Sequence, residues 1–158
     1  PAAAQPQRRA GTHRTPQGTR QAVTLTSHSE AETIDAGRAL AAELRPDDVV
    51  LLTGDLGAGK TAFARGLAEG LGVDPLEVSS PTFTLIQEYR GGRLTLHHID
   101  LYRLSPREVD DLGLEELVVS GAVVAVEWPD RWTRVPAHAV RVELRAVGEN
   151  ERSISIER

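Results

Sequence analysis

Residues 49–61 are Val-Val-Leu-Leu-Thr-Gly-Asp-Leu-Gly-Ala-Gly-Lys-Thr, a short apolar run that leads directly into a glycine-rich loop. The run Val49–Thr53 is aliphatic and β-branched, which is typical of a strand buried on both faces. The next eight residues have the Gly-x-x-x-x-Gly-Lys-Thr spacing of a Walker A phosphate loop. After the loop, Phe63, Leu67 and Leu71 recur every four residues, which predicts a helix that Gly72 ends. Strand, loop and helix follow one another in the order that a phosphate-binding motif needs.

Lys60 is the single lysine of a chain that has 18 basic residues. Its compact ammonium can reach between the β- and γ-phosphates of a nucleotide, where a planar guanidinium would fit poorly. Glycines let the loop backbone point its N–H groups at phosphate oxygens, and the Thr61 hydroxyl is the expected Mg²⁺ ligand. The alternative is a glycine-rich turn that binds nothing, which the flanking strand and helix argue against. The predicted nucleotide contacts of this loop are Asp55, Leu56, Gly57, Ala58, Gly59, Lys60 and Thr61.

The 158 residues are 40% apolar, which suffices for one well-buried core but not for two ordinary domains. We therefore expect one domain over residues 22–158. Residues 1–21 are rich in Pro, Gln, Thr, Gly and Arg, which predicts a disordered basic tail. The absence of cysteine is compatible with a reducing cytosol, and no apolar stretch approaches the roughly 20 residues that span a bilayer. We expect a cytoplasmic protein that does not enter membranes.

The net charge of −5 is unevenly distributed along the chain. Four of the 18 basic residues lie in residues 1–29, which contain no acid, so 14 basic and 23 acidic residues remain and give the rest a net charge of −9. An acidic body matches RNA and DNA poorly, so we expect a partner to supply the basic surface if nucleic acid is involved. An RNA-touching arm or a targeting peptide is the alternative interpretation of the tail.

The order of elements predicts an α/β fold, a phosphate-loop NTPase-like three-layer sandwich. Its central sheet must be mixed, because two pairs of strands are joined by turns too short for a parallel crossover. Capping boxes at Ser29 and Ser105 predict two helix starts, and the first helix should bury Ile34, Leu40, Ala41 and Leu44. The predicted strands are residues 22–26, 49–53, 83–89, 94–99, 122–126, 139–146 and 152–157, and the predicted helices are residues 30–44, 61–71 and 106–117.

Two acids follow apolar strands, at the sheet edge where ligands gather in α/β proteins. They are Asp100 and Glu127, and hydrolysis of a bound nucleotide needs such carboxylates near the metal and the attacking water. An ordinary solvated strand-end acid is the alternative for either one. His97 and His98 are neighbours on a strand and face opposite ways, so they should not share a metal ion. We expect one of them to be packed or hydrogen-bonded.

Two further features have open interpretations. Residues 79–83 lie where nucleotide switches sense the γ-phosphate, but residue chemistry alone favours a capped turn. Trp128 either packs in the core or stacks on a base or a partner, and core packing is the simpler expectation. Trp132 is ambiguous in the same way.

Four motifs together resemble the TsaE (YjeE) family over residues 22–157. They are Gly-Asp-Leu-Gly-Ala-Gly-Lys-Thr (54–61), Ser-Pro-Thr-Phe (80–83), His-x-Asp-x-Tyr-Arg (98–103) and Glu-Trp-Pro-Asp (127–130). That family is the bacterial ATPase component of the machinery that makes N6-threonylcarbamoyladenosine at position 37 of tRNAs reading ANN codons. Residues 1–21 lie outside the resemblance.

The resemblance implies an ATPase that binds ATP or ADP with Mg²⁺ and is weak without its partners. Those partners would be a TsaD-like threonylcarbamoyl transferase and a TsaB-like protein, engaged in a nucleotide-dependent way, with tRNA contacted only through the complex. The implied roles are catalysis for Lys60, Asp100 and Glu127, metal binding for Thr61 and Glu127, a switch for Thr82, a nucleotide or partner contact for Trp128, and the adenine end for Thr33 and Arg152.

Two other functions share the phosphate loop. A small nucleotide or metabolite kinase would need an arginine-bearing lid, for which Arg131 and Arg134 are the candidates. A nucleotide sensor would bind ATP tightly without hydrolysing it. Acceptor-dependent release of ADP would indicate the kinase, and partner-dependent release would indicate the ATPase.

Overall fold

The computed structural model describes residues 21–78 and 85–158. The predicted tail up to residue 20 and the predicted switch segment with Thr82 lie outside the described residues. The strands are β1 (Ala22–Ser27), β2 (Val49–Thr53), β3 (Ile86–Tyr89), β4 (Leu96–Asp100), β5 (Val123–Glu127), β6 (Val140–Ala146) and β7 (Arg152–Glu157). The helices are α1 (Glu30–Ala41), α2 (Lys60–Gly70), α3 (Pro106–Asp110) and α4 (Leu114–Val118), with short 3-10 turns at Pro75–Glu77 and Pro129–Arg131.

The strands form one sheet in the order β1-β7-β6-β2-β5-β4-β3. β2 is parallel to both β5 and β6, and β4 is parallel to β5. The two hairpins, β3–β4 and β6–β7, are antiparallel, as is the β1–β7 pair. The predicted mixed sheet is therefore confirmed, and short turns are its cause, because they permit only antiparallel pairing.

β2 lies in the middle of the sheet, and its two faces belong to two separate apolar cores. Val50 and Leu52 pack in the core that α1 and α2 cover. Val49 and Leu51 pack in the core that α3 and α4 cover. Helices thus lie on both faces of the sheet, which confirms the predicted α/β sandwich and accounts for the unbroken apolar run of β2.

The predicted buried face of α1 is partly wrong. Ile34 is only half-buried, and Thr33, Gly37, Leu40 and Ala41 are the buried residues of the helix. The reason is a close backbone contact between Gly37 of α1 and Gly66 of α2, where a Cβ on Gly66 would lie 2.0 Å from the Ile34 carbonyl oxygen. Small residues let the two helices approach, and this contact turns Thr33 rather than Ile34 inward.

The predicted helix over residues 106–117 is also wrong in one respect, because it is two short helices. Gly113 has a left-handed backbone (φ 68°) between α3 and α4, which ends one helix before the next begins. The capping box at Ser105 forms as predicted, with the Ser105 hydroxyl accepting from the Glu108 N–H. None of the helices in residues 21–78 and 85–158 has the length and apolar character needed to cross a membrane.

Candidate nucleotide site

A cavity of about 420 Å³ opens beside the phosphate loop. Its walls come from the loop, the start of α1, the ends of β4 and β5, and the β6–β7 turn. The carboxyl ends of parallel strands are where ligands bind in α/β sheets, so the location is the expected one. The predicted site residues that line the cavity are Thr33, Leu56, Gly57, Gly59, Lys60, Thr61, Asp100, Glu127 and Arg152.

The predicted loop residues Asp55 and Ala58 are not in the lining of this cavity. They lie instead beside Glu143 and Arg145 in a smaller groove of about 290 Å³. Ala58 is buried in the core beneath the loop, and Asp55 is exposed. The structure therefore separates these two side chains from the other predicted loop contacts.

The start of α2 is open to an incoming anion. Its N-cap, Gly59, has a left-handed backbone (φ 103°), which favours glycine, and no side chain caps the helix there. The first N–H groups of a helix have no partner within the helix, and the helix dipole adds positive potential at this end. Backbone N–H groups can therefore bind phosphate oxygens at this point.

The Lys60 ammonium lies against its own loop. Nζ donates hydrogen bonds to the carbonyl oxygens of Gly54 and Asp55, the latter at 3.0 Å. It also lies 4.4 Å from the centre of the Trp128 ring, within the range of a cation–π interaction. Lys60 is only 5% exposed. The charge is thus held at the cavity wall by neutral acceptors and an aromatic face.

Burial lowers the pKa of Lys60, because the low-dielectric surroundings disfavour the charged ammonium. The carboxylates of Glu127, Asp100 and Asp55 oppose this shift without cancelling it. A bound triphosphate would add further negative charge beside the ammonium and so would favour its protonated form.

Asp100 and Glu127 are the last residues of β4 and β5 and are direct partners in the parallel register. Glu127 is only 4% exposed, and its Oε2 lies 2.9 Å from Nε2 of His98. Asp100 is half-buried, and its Oδ1 accepts a hydrogen bond from the Tyr102 N–H at 3.0 Å. The two acids are therefore neighbours at one cavity wall, one buried and paired, the other nearer to solvent.

The two histidines of β4 face opposite sides of the sheet, as predicted. His98 contacts Glu127, whereas Nδ1 of His97 lies 3.8 Å from Glu88 on the antiparallel neighbour β3. Within residues 21–78 and 85–158, no group of three or more His, Cys, Asp or Glu side chains could hold a metal ion. A metal here would need oxygen ligands from the nucleotide as well, which is how proteins usually bind Mg²⁺.

Thr33 and Arg152 also line the cavity. The Thr33 hydroxyl lies 2.7 Å from that of Ser27 and is buried. Arg152 donates to the Glu151 carbonyl oxygen at 3.0 Å and to the Gly57 carbonyl oxygen at 3.3 Å. Arg152 thus connects the β6–β7 turn to the phosphate loop. Contact of either residue with an adenine remains a prediction.

Several lining residues were absent from the predicted site. Tyr102 packs its ring 5.0 Å from that of Trp128, and both line the cavity. The simpler expectation for Trp128, core packing, is only half right, because the ring contacts the core of α3 and α4 and also borders the cavity. Trp132 is buried in that core. Tyr102 could have been found, since it follows Asp100 by two residues in the 98–103 motif, whereas Ser29, Glu30 and Asn150 have no such signal in the sequence.

Comparison with known proteins assigns the family. A family model described as "Threonylcarbamoyl adenosine biosynthesis protein TsaE" matches residues 27–154. The chain belongs to the TsaE family. A Bacillus subtilis protein named tRNA threonylcarbamoyladenosine biosynthesis protein TsaE is 43% identical over 125 residues, which is 78% of each chain. A Treponema pallidum protein of the same name is 41% identical over 132 residues, which is 82% of this chain and 96% of that one.

A solved structure is similar to this chain in both fold and sequence. The crystal structure of Bacillus subtilis YdiB matches with a TM-score of 0.71 and 34% sequence identity, over 87% of this chain and 86% of that one. The TsaE resemblance predicted from four motifs is thus confirmed, and those motifs lie inside the matched residues. Three of them border the cavity, and the fourth, at residues 80–83, lies outside the described residues.

Proposed function

We propose that this TsaE-family chain is an ATP-hydrolysing subunit needed to form the threonylcarbamoyl group on N6 of adenosine 37 in tRNAs that read ANN codons. Its relatives carry the name of a tRNA threonylcarbamoyladenosine biosynthesis protein, which supports the pathway. One observation carries the chemistry: Lys60, Thr61, Asp100 and Glu127 line a single cavity at the open start of α2. An ammonium, a hydroxyl and two carboxylates at a phosphate loop are the groups that phosphoanhydride hydrolysis requires.

The roles follow from the chemistry of each group. The loop N–H groups and Lys60 bind the phosphates and neutralise charge on their oxygens as the terminal phosphate leaves. Thr61 and Glu127 would hold Mg²⁺, and their oxygens are the hard ligands that this ion prefers. The bound ion would supply further charge neutralisation on the β- and γ-oxygens. Asp100 or Glu127 orients the attacking water, and Asp100 is the more accessible of the two.

The partners that we propose are a TsaD-like threonylcarbamoyl transferase and a TsaB-like protein. The charge of −9 outside residues 1–29 supports indirect contact with tRNA, through that complex. Two apolar side chains at the cavity, Leu56 (69% exposed) and Tyr102 (40% exposed), are available to a protein surface that senses the nucleotide. Nucleotide-dependent docking would then couple hydrolysis to the transferase.

The kinase alternative has less support. Arg131 donates to the Leu104 carbonyl oxygen at 2.8 Å, so it is held in the protein instead of extending as a lid. Neither Arg131 nor Arg134 is in the lining of the cavity. The sensor alternative differs from the proposal only in turnover, so kinetics must decide between them.

The test is ADP release by the purified full-length chain, alone and with its TsaB-like and TsaD-like partners, in Mg²⁺ and ATP. We expect slow release alone, faster release with partners, and threonylcarbamoyladenosine in added tRNA only when all components are present. Tight ATP binding without turnover in the complete mixture would establish the sensor instead. ADP release that depends on a small-molecule phosphate acceptor would establish the kinase.

A further inference from the structure

A buried hydrogen bond beside the cavity joins the side chains of His98 and Glu127. Nε2 of His98 and Oε2 of Glu127 are 2.9 Å apart, and the two residues are 3% and 4% exposed. Glu127 is on the cavity wall, while His98 is not in the cavity lining. His98 therefore lies behind the carboxylate, where it can act on a ligand only through Glu127.

The strand register explains this arrangement. β4 is parallel to β5, with His98 opposite Ala125 and Asp100 opposite Glu127. Residues two apart on a strand share a face, so His98 and Asp100 both face the α2 side, where Glu127 also lies. His98 is one pleat further from the strand ends, which places its ring beside the Glu127 side chain and below the cavity.

The pair determines which oxygen of Glu127 remains available. A carboxylate is an acceptor, so the Nε2–H of the His98 imidazole donates to Oε2. Oε1 has no hydrogen bond to any residue in the described ranges, so it is the less engaged of the two oxygens and the one with more acceptor capacity for a ligand. A buried carboxylate without such a donor would be costly and free to rotate about its terminal torsion.

We propose that His98 is a positioning residue, whose hydrogen bond to Oε2 orients Glu127 so that Oε1 can bind a divalent cation that accompanies the nucleotide. The inference rests on the proposed ATPase function, since it assigns Glu127 to the metal. Outer partners of metal ligands commonly change metal affinity or activity by about 10- to 100-fold when they are removed. His98 acts on that scale without touching the nucleotide.

His97 provides a matched control in the same strand. His97 is 7% exposed and His98 is 3% exposed, but His97 faces the α3 and α4 side, lies near Glu88 and is not in the cavity lining. Loss of either imidazole removes similar volume from β4. A difference between the two positions therefore reports the hydrogen bond to Glu127 and not the loss of packing.

The experiment compares wild type, His98→Leu, His98→Gln, His98→Asn and His97→Leu in the full-length chain. Mn²⁺ binding is titrated by electron paramagnetic resonance in the presence of ADP, and ADP affinity is measured separately in EDTA. Gln can place its amide N–H near the position of Nε2, whereas Asn is one methylene shorter. Turnover of ATP with the partners gives kcat and KM.

We expect His98→Leu and His98→Asn to raise the half-saturating Mn²⁺ concentration and to lower kcat by about 10- to 100-fold. Metal-free ADP affinity should stay unchanged, and His98→Gln should restore most of the Mn²⁺ binding. His97→Leu should leave the Mn²⁺ midpoint at the wild-type value. If His98→Leu does not fold, the difference in Mn²⁺ midpoint between His98→Gln and His98→Asn provides the same test.

Two results would overturn the inference in distinguishable ways. If the wild-type protein binds no Mn²⁺ in the presence of ADP, both the proposed function and this inference are contradicted. Wild type that binds Mn²⁺, with His98→Asn or His98→Leu at the same midpoint and kcat, would remove the inference alone. Equal Mn²⁺ defects in His97→Leu and the His98 variants would also remove it, because packing would then explain both.

Discussion

The two faces of strands β4 and β5 have opposite character at the same end of the sheet. On the α2 face lie the polar residues His98, Asp100 and Glu127. On the α3 and α4 face, Ile99 and Val126 are fully buried in an apolar core. Because successive strand residues alternate between faces, each of these five-residue strands supplies residues to both faces.

The difference shows how the alternation of side chains along a strand can place packing residues on one face of the sheet and ligand-binding residues on the other. Substitutions on the apolar face remove packing and should lower the free energy of unfolding. Substitutions on the polar face remove charges or hydrogen bonds that serve a ligand and should lower turnover. The separation can be tested one pair of residues at a time.

The largest effect is expected for Lys60→Ala. Loss of the ammonium removes the positive charge nearest the phosphates, so we expect turnover of ATP to fall by at least about 100- to 1000-fold. Arg65→Ala is the matched control, because Arg65 lies on the same helix but is exposed and paired with Glu69. ADP release with partners is the measurement, and circular dichroism checks the fold. Wild-type turnover in Lys60→Ala would contradict the phosphate-loop mechanism.

The next largest effect should distinguish the two faces directly. Glu127→Gln keeps the shape of the side chain but removes its charge, so we expect about 100-fold slower turnover with little change in the thermal midpoint. Val126→Ala, one residue away on the other face, should cost about 2 kcal/mol of unfolding free energy while turnover stays near wild type. Urea unfolding and ADP release are measured on both variants. Similar kinetic losses in the two would show that the faces are not separable.

Much of this arrangement was predictable, because it depends on local patterns. The apolar run of β2, the glycine spacing of the loop and the strand-end positions of Asp100 and Glu127 are each visible within about ten residues of sequence. The mixed sheet followed from turn length alone. These features need no knowledge of distant residues.

The rest depended on contacts between distant segments. The approach of Gly37 to Gly66 decides which face of α1 is buried, and neither glycine signals its partner in the sequence. The bond between His98 and Glu127 joins residues 29 positions apart, so strand alternation predicted only that the two histidines face opposite ways, and the partner of His98 was not predicted. The left-handed break at Gly113 competes with an otherwise helical pattern on both sides. Tertiary packing decided each case.

A moderate effect is expected at the contact between α1 and α2. These two helices cover the sheet face that carries the polar residues, but their close contact at Gly37 and Gly66 is made by apolar groups and backbone. In Gly66→Ala, the added Cβ would collide with the Ile34 carbonyl oxygen, and the helices must separate. We expect a loss of about 1–3 kcal/mol in unfolding free energy. Ala39→Ser, at an exposed position of α1, is the control and should be near neutral. Thermal and urea unfolding measure both, and an unchanged Gly66→Ala would show that the helices can separate freely.

The smallest effect is a pH dependence that arises from Lys60 itself. Burial lowers its pKa in the folded protein below the ordinary lysine value of 10.5, so the folded protein releases this proton at a lower pH than the unfolded chain does. Between the two pKa values the unfolded chain binds more protons, and the free energy of unfolding therefore rises with pH. Below the folded pKa both states are protonated, and the contribution is constant.

Urea unfolding at pH 8, 9 and 10 should therefore give a steeper rise for wild type than for Lys60→Met, which cannot titrate at this position. The difference in slope cannot exceed that of one proton, about 1.4 kcal/mol per pH unit. Equal slopes, or a steeper rise in Lys60→Met, would mean that the buried charge is fully compensated by Glu127, Asp100 and Asp55. A steeper rise in wild type would show that the buried ammonium at the cavity keeps an uncompensated charge, which a bound phosphate can neutralise, whereas Ile99 and Val126 on the apolar face carry no charge.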